Sequence, residues 1–384
     1  MAAVSLSVVG NAGNNLALTM EGSKKYGQAL WELQKALWDK RMMYKDETLA
    51  ACNALILYEL LECTDSSLDG WVSHSTGLAH LIEMRGPESY DSPLAQMIYI
   101  SFRQVSMIQD IQYRRASTFA QTRWQSSPYR NHVKGPDQKL YDIGSELSTI
   151  IADADKSKSM SSNEAFTSKR MTLLERCLKL DREMDTWFER LNEEIPPPHY
   201  WPEFSNLQNP VDDDQDRKTY PVSFRFPNLF IAKVLLDHWA LSIILHSTSL
   251  QLYQSLMGGT RPRPDRPEHP ADGGRAQATT NIPQNYTVPP PKVAQTPGMI
   301  RSLADCIAQS MEYCLSKDMG ILGSQWALFS LRAALQTYRY FPDSKELLWL
   351  QAVHDRISDE KGVKFSRAIA ARSWITRDTS PWRP

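Results

Sequence analysis

His74 and His80, six residues apart in the stretch DGWVSHSTGLAHLIEMRGP (69–87), are the first groups along the chain whose types could do chemistry. Six residues turn a helix through about 240°, so the two rings face different ways and do not share a metal ion. No H-E-x-x-H pattern occurs either. His74 reads as a hydrogen-bonded core group or as a ligand contact, and His80 as an exposed or peripheral one. Further on, DHWALSIILH places His238, Ser242 and His246 along one helical stripe. The two histidines lie ~12 Å apart along the axis at 1.5 Å per residue, too far to hold one zinc ion. His238 and Ser242 have the spacing of a base and a nucleophile, but no G-x-S-x-G elbow accompanies them. Lys233 and Asp237 have the i,i+4 spacing of a surface ion pair.

Arg103 stands among Met97, Ile98, Ile100, Phe102, Val105 and Ile108. A charge in such company must reach water along its stem or find a partner. It either faces an acidic metabolite in a cavity between helices or pairs with Glu59 as scaffold. Trp326 and Phe329 in SQWALFSLRAALQTY line a pocket or fill the core. His74, Arg103 and Trp326 are therefore the candidate ligand contacts. No catalytic residue, metal-ligand set or cofactor is expected, because Gly-rich phosphate loops, dinucleotide fingerprints and zinc spacings are all missing from the sequence. The acidic run 212–216 lacks a calcium-loop pattern, and the sequon at Asn285 matters only in a secreted chain.

The elements that must position these groups are helices. Apolar residues recur at the 3.6-residue period nearly everywhere, and strand alternation is missing. The pattern predicts helices over 22–39, 46–64, 69–85, 92–115, 140–155, 163–192, 226–257, 298–317, 321–340, 345–358 and 362–374. Asp46 and Asp69 are candidate caps, Gly86-Pro87 is a stop signal, and Gly77 leaves room for a neighbouring helix. Trp71 reads as structural. The polar stretch 116–138 suggests a connection between an N-terminal half (1–125) and a C-terminal half (126–384). Residues 192–226 read as irregular. Residues 258–297 hold nine of the 23 prolines and almost no large aliphatics, the composition of a disordered loop. The expected fold is all-α, one large multi-helix domain interrupted by that loop.

Lys plus Arg (43) nearly balance Asp plus Glu (44), so no global field draws in polyanions and the chain is not expected to grip DNA by itself. Five cysteines, at 52, 63, 177, 306 and 314, form neither a disulfide framework nor a C-x-x-C pair. They fit a reducing compartment, with Cys52 and Cys63 as small core hydrophobes. The start MAAVSLSVVGNAGNN lacks the basic flank of a signal peptide. FIAKVLLDHWALSIIL is broken by Lys233, Asp237 and His238. The chain is thus expected to be soluble and without a membrane span.

DETL, an apolar helix ending in LYELLE, a loop, and then Gly70, Trp71, His74, Gly77, Leu81, Arg85, Gly86 and Pro87 together resemble the regulatory (middle homology, effector) domain of fungal zinc-cluster transcription factors. YGQALWELQKAL (26–37) shares the style. The likeness is strong over 22–87 and loose after 130. It implies transcriptional control, in some relatives of a secondary-metabolite gene cluster, through protein partners or a homodimer and a small-molecule effector, in the nucleus. The six-cysteine zinc module of that family does not occur in this sequence. DNA contact is thus expected only through a missing module or a partner, in a truncated paralogue (cytoplasmic if standalone) or a gene product that has lost its beginning. The alternative is a helical fold adapted as an enzyme on a small hydrophobic metabolite, with His74, Arg103 or His238 supplying acid–base or charge stabilisation.

Overall fold

The computed structural model describes residues 1–62, 68–158, 164–212, 218–257 and 296–372. Among them the chain forms α1 (Ala2–Ala12), α2 (Leu16–Trp38), α3 (Asp46–Glu62), α4 (Asp69–Arg85), α5 (Pro93–Gln112), α6 (Thr122–Ser126) and α7 (Pro136–Lys158). There follow α8 (Glu164–Glu194), α9 (Leu229–Leu256), α10 (Thr296–Gln309), α11 (Met311–Cys314), α12 (Gly320–Tyr338), α13 (Lys345–Glu360) and α14 (Phe365–Ala371). The all-α expectation holds, apart from one small antiparallel pair. Here β1 (Trp201–Phe204) lies against β2 (Val222–Arg225), with Trp201 opposite Arg225.

Several helix starts are written locally. Asn15, Ser92, Asn228 and Ser344 each accept a hydrogen bond from the backbone N–H three residues on, at 3.2, 3.0, 3.0 and 3.2 Å. Each satisfies one of the orphan donors of a first turn. Pro93 then occupies the opening position of α5, where its missing N–H costs nothing. Gly86 ends α4 at φ 84°, a left-handed conformation that only glycine takes cheaply. Asp46 and Asp69 are not caps. Each is the first residue of its helix, and the Asp46 carboxylate turns instead to Arg85 (2.5 Å) and Ser92 (2.9 Å).

One continuous apolar core runs from Ala3 to Ile369. Its axis is α9, which packs against α7, α8, α10 and α12. That burial explains a helix apolar all round. By length and composition α9 could cross a membrane: one 18-residue window has a mean hydropathy of 1.5. This departs from the expectation that no such segment exists. However, 72% of that window is buried inside the fold, as in a core helix.

Two expectations change, and two further stretches carry more structure than their composition suggested. The polar stretch 116–138 carries Phe119 and Trp124, both buried, in an aromatic nest with Tyr90 and Tyr99. The irregular reading of 192–226 missed β1 and β2, whose four-residue strands are too short to show a period. The opening residues form α1, which buries Ala3, Val4, Ser7 and Gly10. Finally, nothing lies within 4 Å of where a Gly77 side chain would begin, so that glycine does not admit a neighbouring helix. The Pro-rich stretch lies outside the described residues through 295, and its last two residues open α10. Cys63, Asn285 and positions 213–216 of the acidic run also lie outside them.

Candidate functional site

The groups nominated for chemistry fall into three places. Arg103, on the inner face of α5, is 1% exposed. Its guanidinium donates to Asp142 Oδ1 (2.7 Å), to the Gln138 carbonyl (3.0 Å) and to Tyr129 Oη (3.3 Å). The partner is thus Asp142 of α7, not Glu59. The helical period places Arg103 among apolar neighbours but cannot say which carboxylate meets it from another helix. Lys134 completes the group through the other Asp142 oxygen.

One residue before Asp142, Tyr141 enters a second polar cluster. The Tyr141 hydroxyl donates to Asp237 Oδ2 (2.7 Å) and accepts from Lys233 Nζ. Lys233 donates to the same carboxylate oxygen at 3.0 Å, and Gln104 Nε2 reaches both oxygens at 3.2 and 3.0 Å. Lys233 and Asp237 are 7% and 0% exposed, which overturns the surface-pair reading: their i,i+4 spacing sits on the buried face of α9. Burial raises the Asp237 carboxyl pKa, while Lys233 and Tyr141 pull it back. The Tyr141 phenol is pushed well above its usual range by burial and by that carboxylate. Trp326, half-buried on α12, lies with its ring 5.8 Å from Lys233 Nζ, a cation–π contact. Arg103 and Trp326 therefore flank one polar seam across α5, α7, α9 and α12.

His74 stands apart from this seam. Its Nε2 meets Tyr26 Oη at 2.8 Å, and the Tyr26 hydroxyl donates to Glu59 Oε1, which lies 3.8 Å from the imidazole. Tyr26 stacks on Tyr58 at 4.2 Å. Partial burial lowers the His74 pKa, and Glu59 opposes that shift. Gly70 is what makes room here, since a Cβ at that position would collide with the Glu59 carboxylate. Trp71, one residue on, is buried against Phe365 of α14, and His80 is exposed.

His238 stacks on Trp187 (5.0 Å) and on Phe188 (5.6 Å), two rings that adjoin each other at 6.5 Å, with its Nδ1 unbonded. Burial depresses its pKa to about 4. No hydrogen bond joins it to Ser242, while His246 bonds to Asp181 at 2.8 Å. The aromatic slot from α8 was not visible in the spacing of α9 alone. Among the described residues no group of three or more His, Cys, Asp or Glu could hold a metal ion.

A cleft of about 290 Å3 lies beside Arg225, Glu312 and Arg356. It sits at the lower bound for a small-molecule site. Its Glu312 already accepts from Ser205 Oγ, the Asn206 and Leu207 amides, and Arg225.

The motif residues 70–87 thus pack a helical fold whose polar groups bind one another, and residues 1–268 match the family described as fungal specific transcription factor domain. The chain belongs to this family. It is also similar to the protein AN5342 of Emericella nidulans, described as uncharacterized, at 27% identity over 115 residues. That match covers 30% of this chain and 24% of AN5342. No solved structure matches the chain with significant similarity.

Proposed function

We propose that this fungal transcription factor domain acts in transcriptional control as a regulatory interaction module, working in the nucleus with protein partners. The observation that carries this reading is how the polar groups are used. Arg103, Lys233, Asp237 and Tyr141 are engaged with one another between helices. His74 holds Tyr26 and Glu59. A buried ionic seam of this kind fixes the register of neighbouring helices. A partner or small effector that binds one register better than another would shift the population toward it. Control of a secondary-metabolite cluster is the narrower form of the proposal, and it rests on resemblance.

The test is to fuse the chain to a heterologous DNA-binding module upstream of a reporter. A several-fold change in output relative to the module alone is the expected result. Unchanged output, together with conversion of a metabolite from the native culture by the purified chain, would replace this reading with the enzymatic one.

A further inference from the structure

Arg170, in the second turn of α8, is a buried cation that the fold leaves without a partner. It is 7% exposed. Among the described residues its guanidinium makes no hydrogen bond and no ion pair, and its Nε is shut off from solvent. Its neighbours are the Phe166 ring, 4.5 Å from the guanidinium carbon, and the charge of Asp155 near the end of α7. Burial outweighs that charge and lowers the Arg170 pKa. Arg103, also buried, instead gives its fork to Asp142, a carbonyl and a hydroxyl. A guanidinium has five donors, and burying it without an acceptor is unfavourable.

Asp155 is already taken. Arg114 holds it through Nη2 at 3.0 Å and through Nε, and Lys158 holds it at 2.7 Å. Burial would raise its pKa, but these two cations keep it below the usual carboxylate range, so it is ionised. Asp153, the other acid in the last turns of α7, is engaged by Arg176 at 3.0 Å and Lys156 at 3.4 Å. Arg114, Lys158 and Arg170 therefore share one carboxylate, an excess of two positive charges. Lysines at the carbonyl end of α7 complement its dipole without any ligand, but that account does not reach Arg170, which belongs to another helix. Nor does it reach Arg114. That residue ends α5 at φ 54°, a left-handed conformation that glycine takes more cheaply. The two cap bonds there, from the Arg114 and Arg115 amides at 3.2 and 2.8 Å, would form with glycine as well. Only the guanidinium would be lost.

We infer that Arg170, Arg114 and Lys158 form a binding site for a phosphate group, carried as the free ion or on a small phosphorylated metabolite. Charge selects among oxyanions: a phosphate group carries about −1.5 to −2 near neutral pH, which matches the local excess, whereas one carboxylate leaves a cation unmatched. Guanidinium forks suit paired phosphate oxygens, and a lysine adds a point charge. The side chains of Arg114, Asp155 and Lys158 are 30, 31 and 43% exposed, so an ion reaches them from solvent, while Arg170 supplies the buried donor. The bound group ties α5, α7 and α8 together. This site goes beyond the regulatory reading and does not depend on it.

Isothermal titration of the purified full chain at constant ionic strength tests this, with inorganic phosphate, glycerol phosphate and succinate as probes. Phosphate should bind saturably, with one site per chain, and succinate about tenfold more weakly or worse. Glycerol phosphate binding as tightly as phosphate would assign the site to a phosphorylated metabolite, and its exclusion would assign it to the free ion. Arg170→Met should weaken phosphate about tenfold or more. It should also raise the melting temperature of the unliganded chain, because an unpartnered buried charge is gone. An arginine serving only the scaffold would do the reverse, its loss lowering the melt and leaving binding unchanged. Lys158→Gln, at an exposed position, should weaken phosphate severalfold with the melt level, so the test survives if Arg170→Met does not fold. The inference is overturned if phosphate does not saturate, if succinate binds equally well, or if both variants bind like the natural chain (an adventitious ion only).

Discussion

Acidification should loosen this fold through His238. The ring is neutral where it packs against Trp187 and Phe188, and its pKa falls from the ordinary 6.5 to about 4 because burial penalises the imidazolium. The folded pKa lies below the unfolded one, so the unfolded chain takes up the proton first. Stability is therefore complete above about pH 7, is lost as pH falls below 6.5, and stops falling near pH 4. Between pH 7 and pH 5 the loss from this one group is about 2 kcal/mol. His354, pushed down to about 3 by burial and then by Arg332 and Arg339, adds a similar loss.

Asp110 works the other way. Burial raises its carboxyl to about 6, so the folded state gains about 1 kcal/mol over the same interval as the proton binds. Its contribution cancels when the natural chain is compared with His238→Phe, which keeps the aromatic stack and removes only the titration. His246 and Asp181 are also present in both. Urea unfolding at several pH values should find the two chains within about 1 kcal/mol at pH 7. At pH 5 the variant should have gained about 2 kcal/mol relative to the natural chain. A difference that stays flat from pH 7 to pH 5 would contradict this account, because it would mean that the ring titrates normally in the fold.

Lys233→Met should cost roughly 3 to 5 kcal/mol in the same unfolding assay, since Asp237 would be left charged and buried; adding Asp237→Leu should restore most of it. Arg103→Lys should lower the melting temperature markedly, because one ammonium cannot span Asp142, the Gln138 carbonyl and Tyr129 as the planar fork does. Gly70→Ala should displace the Glu59 carboxylate from Tyr26 and His74 and cost about 1 to 3 kcal/mol, read by calorimetry, and Glu59→Gly in that background should relieve part of the clash.

How far the sequence could be read follows from the reach of each signal. The 3.6-residue period is local, so α3, α4, α5 and α9 were legible to within a few residues, although the two caps read for α3 and α4 were not caps. α1 was not, because a short helix of small residues shows no amphipathic contrast. Position along a helix also places Arg103 and the Lys233–Asp237 pair, but it leaves open what faces them. Asp142 lies 39 residues from Arg103, and Tyr141 lies 92 from Lys233. Those partnerships exist only after α5, α7 and α9 have packed. Gly77 shows the converse, a glycine within a matching motif that no neighbouring helix uses. Gly70 is instead the glycine that a carboxylate requires, and the Glu59 that requires it belongs to another helix.

Glu62 sits at the end of α3, 8% exposed. One of its oxygens accepts from Ser7 and Asn11 of α1 at 2.7 and 2.9 Å, and the other from Lys364 just ahead of α14. During synthesis the first two contacts are available as soon as α3 leaves the ribosome. The third must wait for a residue made 302 positions later. Until then α1 and α3 hold a half-satisfied carboxylate beside the gap that Phe365 will fill over Trp71. α1 and α3 therefore stay unfinished until the segment that opens α14 has been made and has folded back onto them.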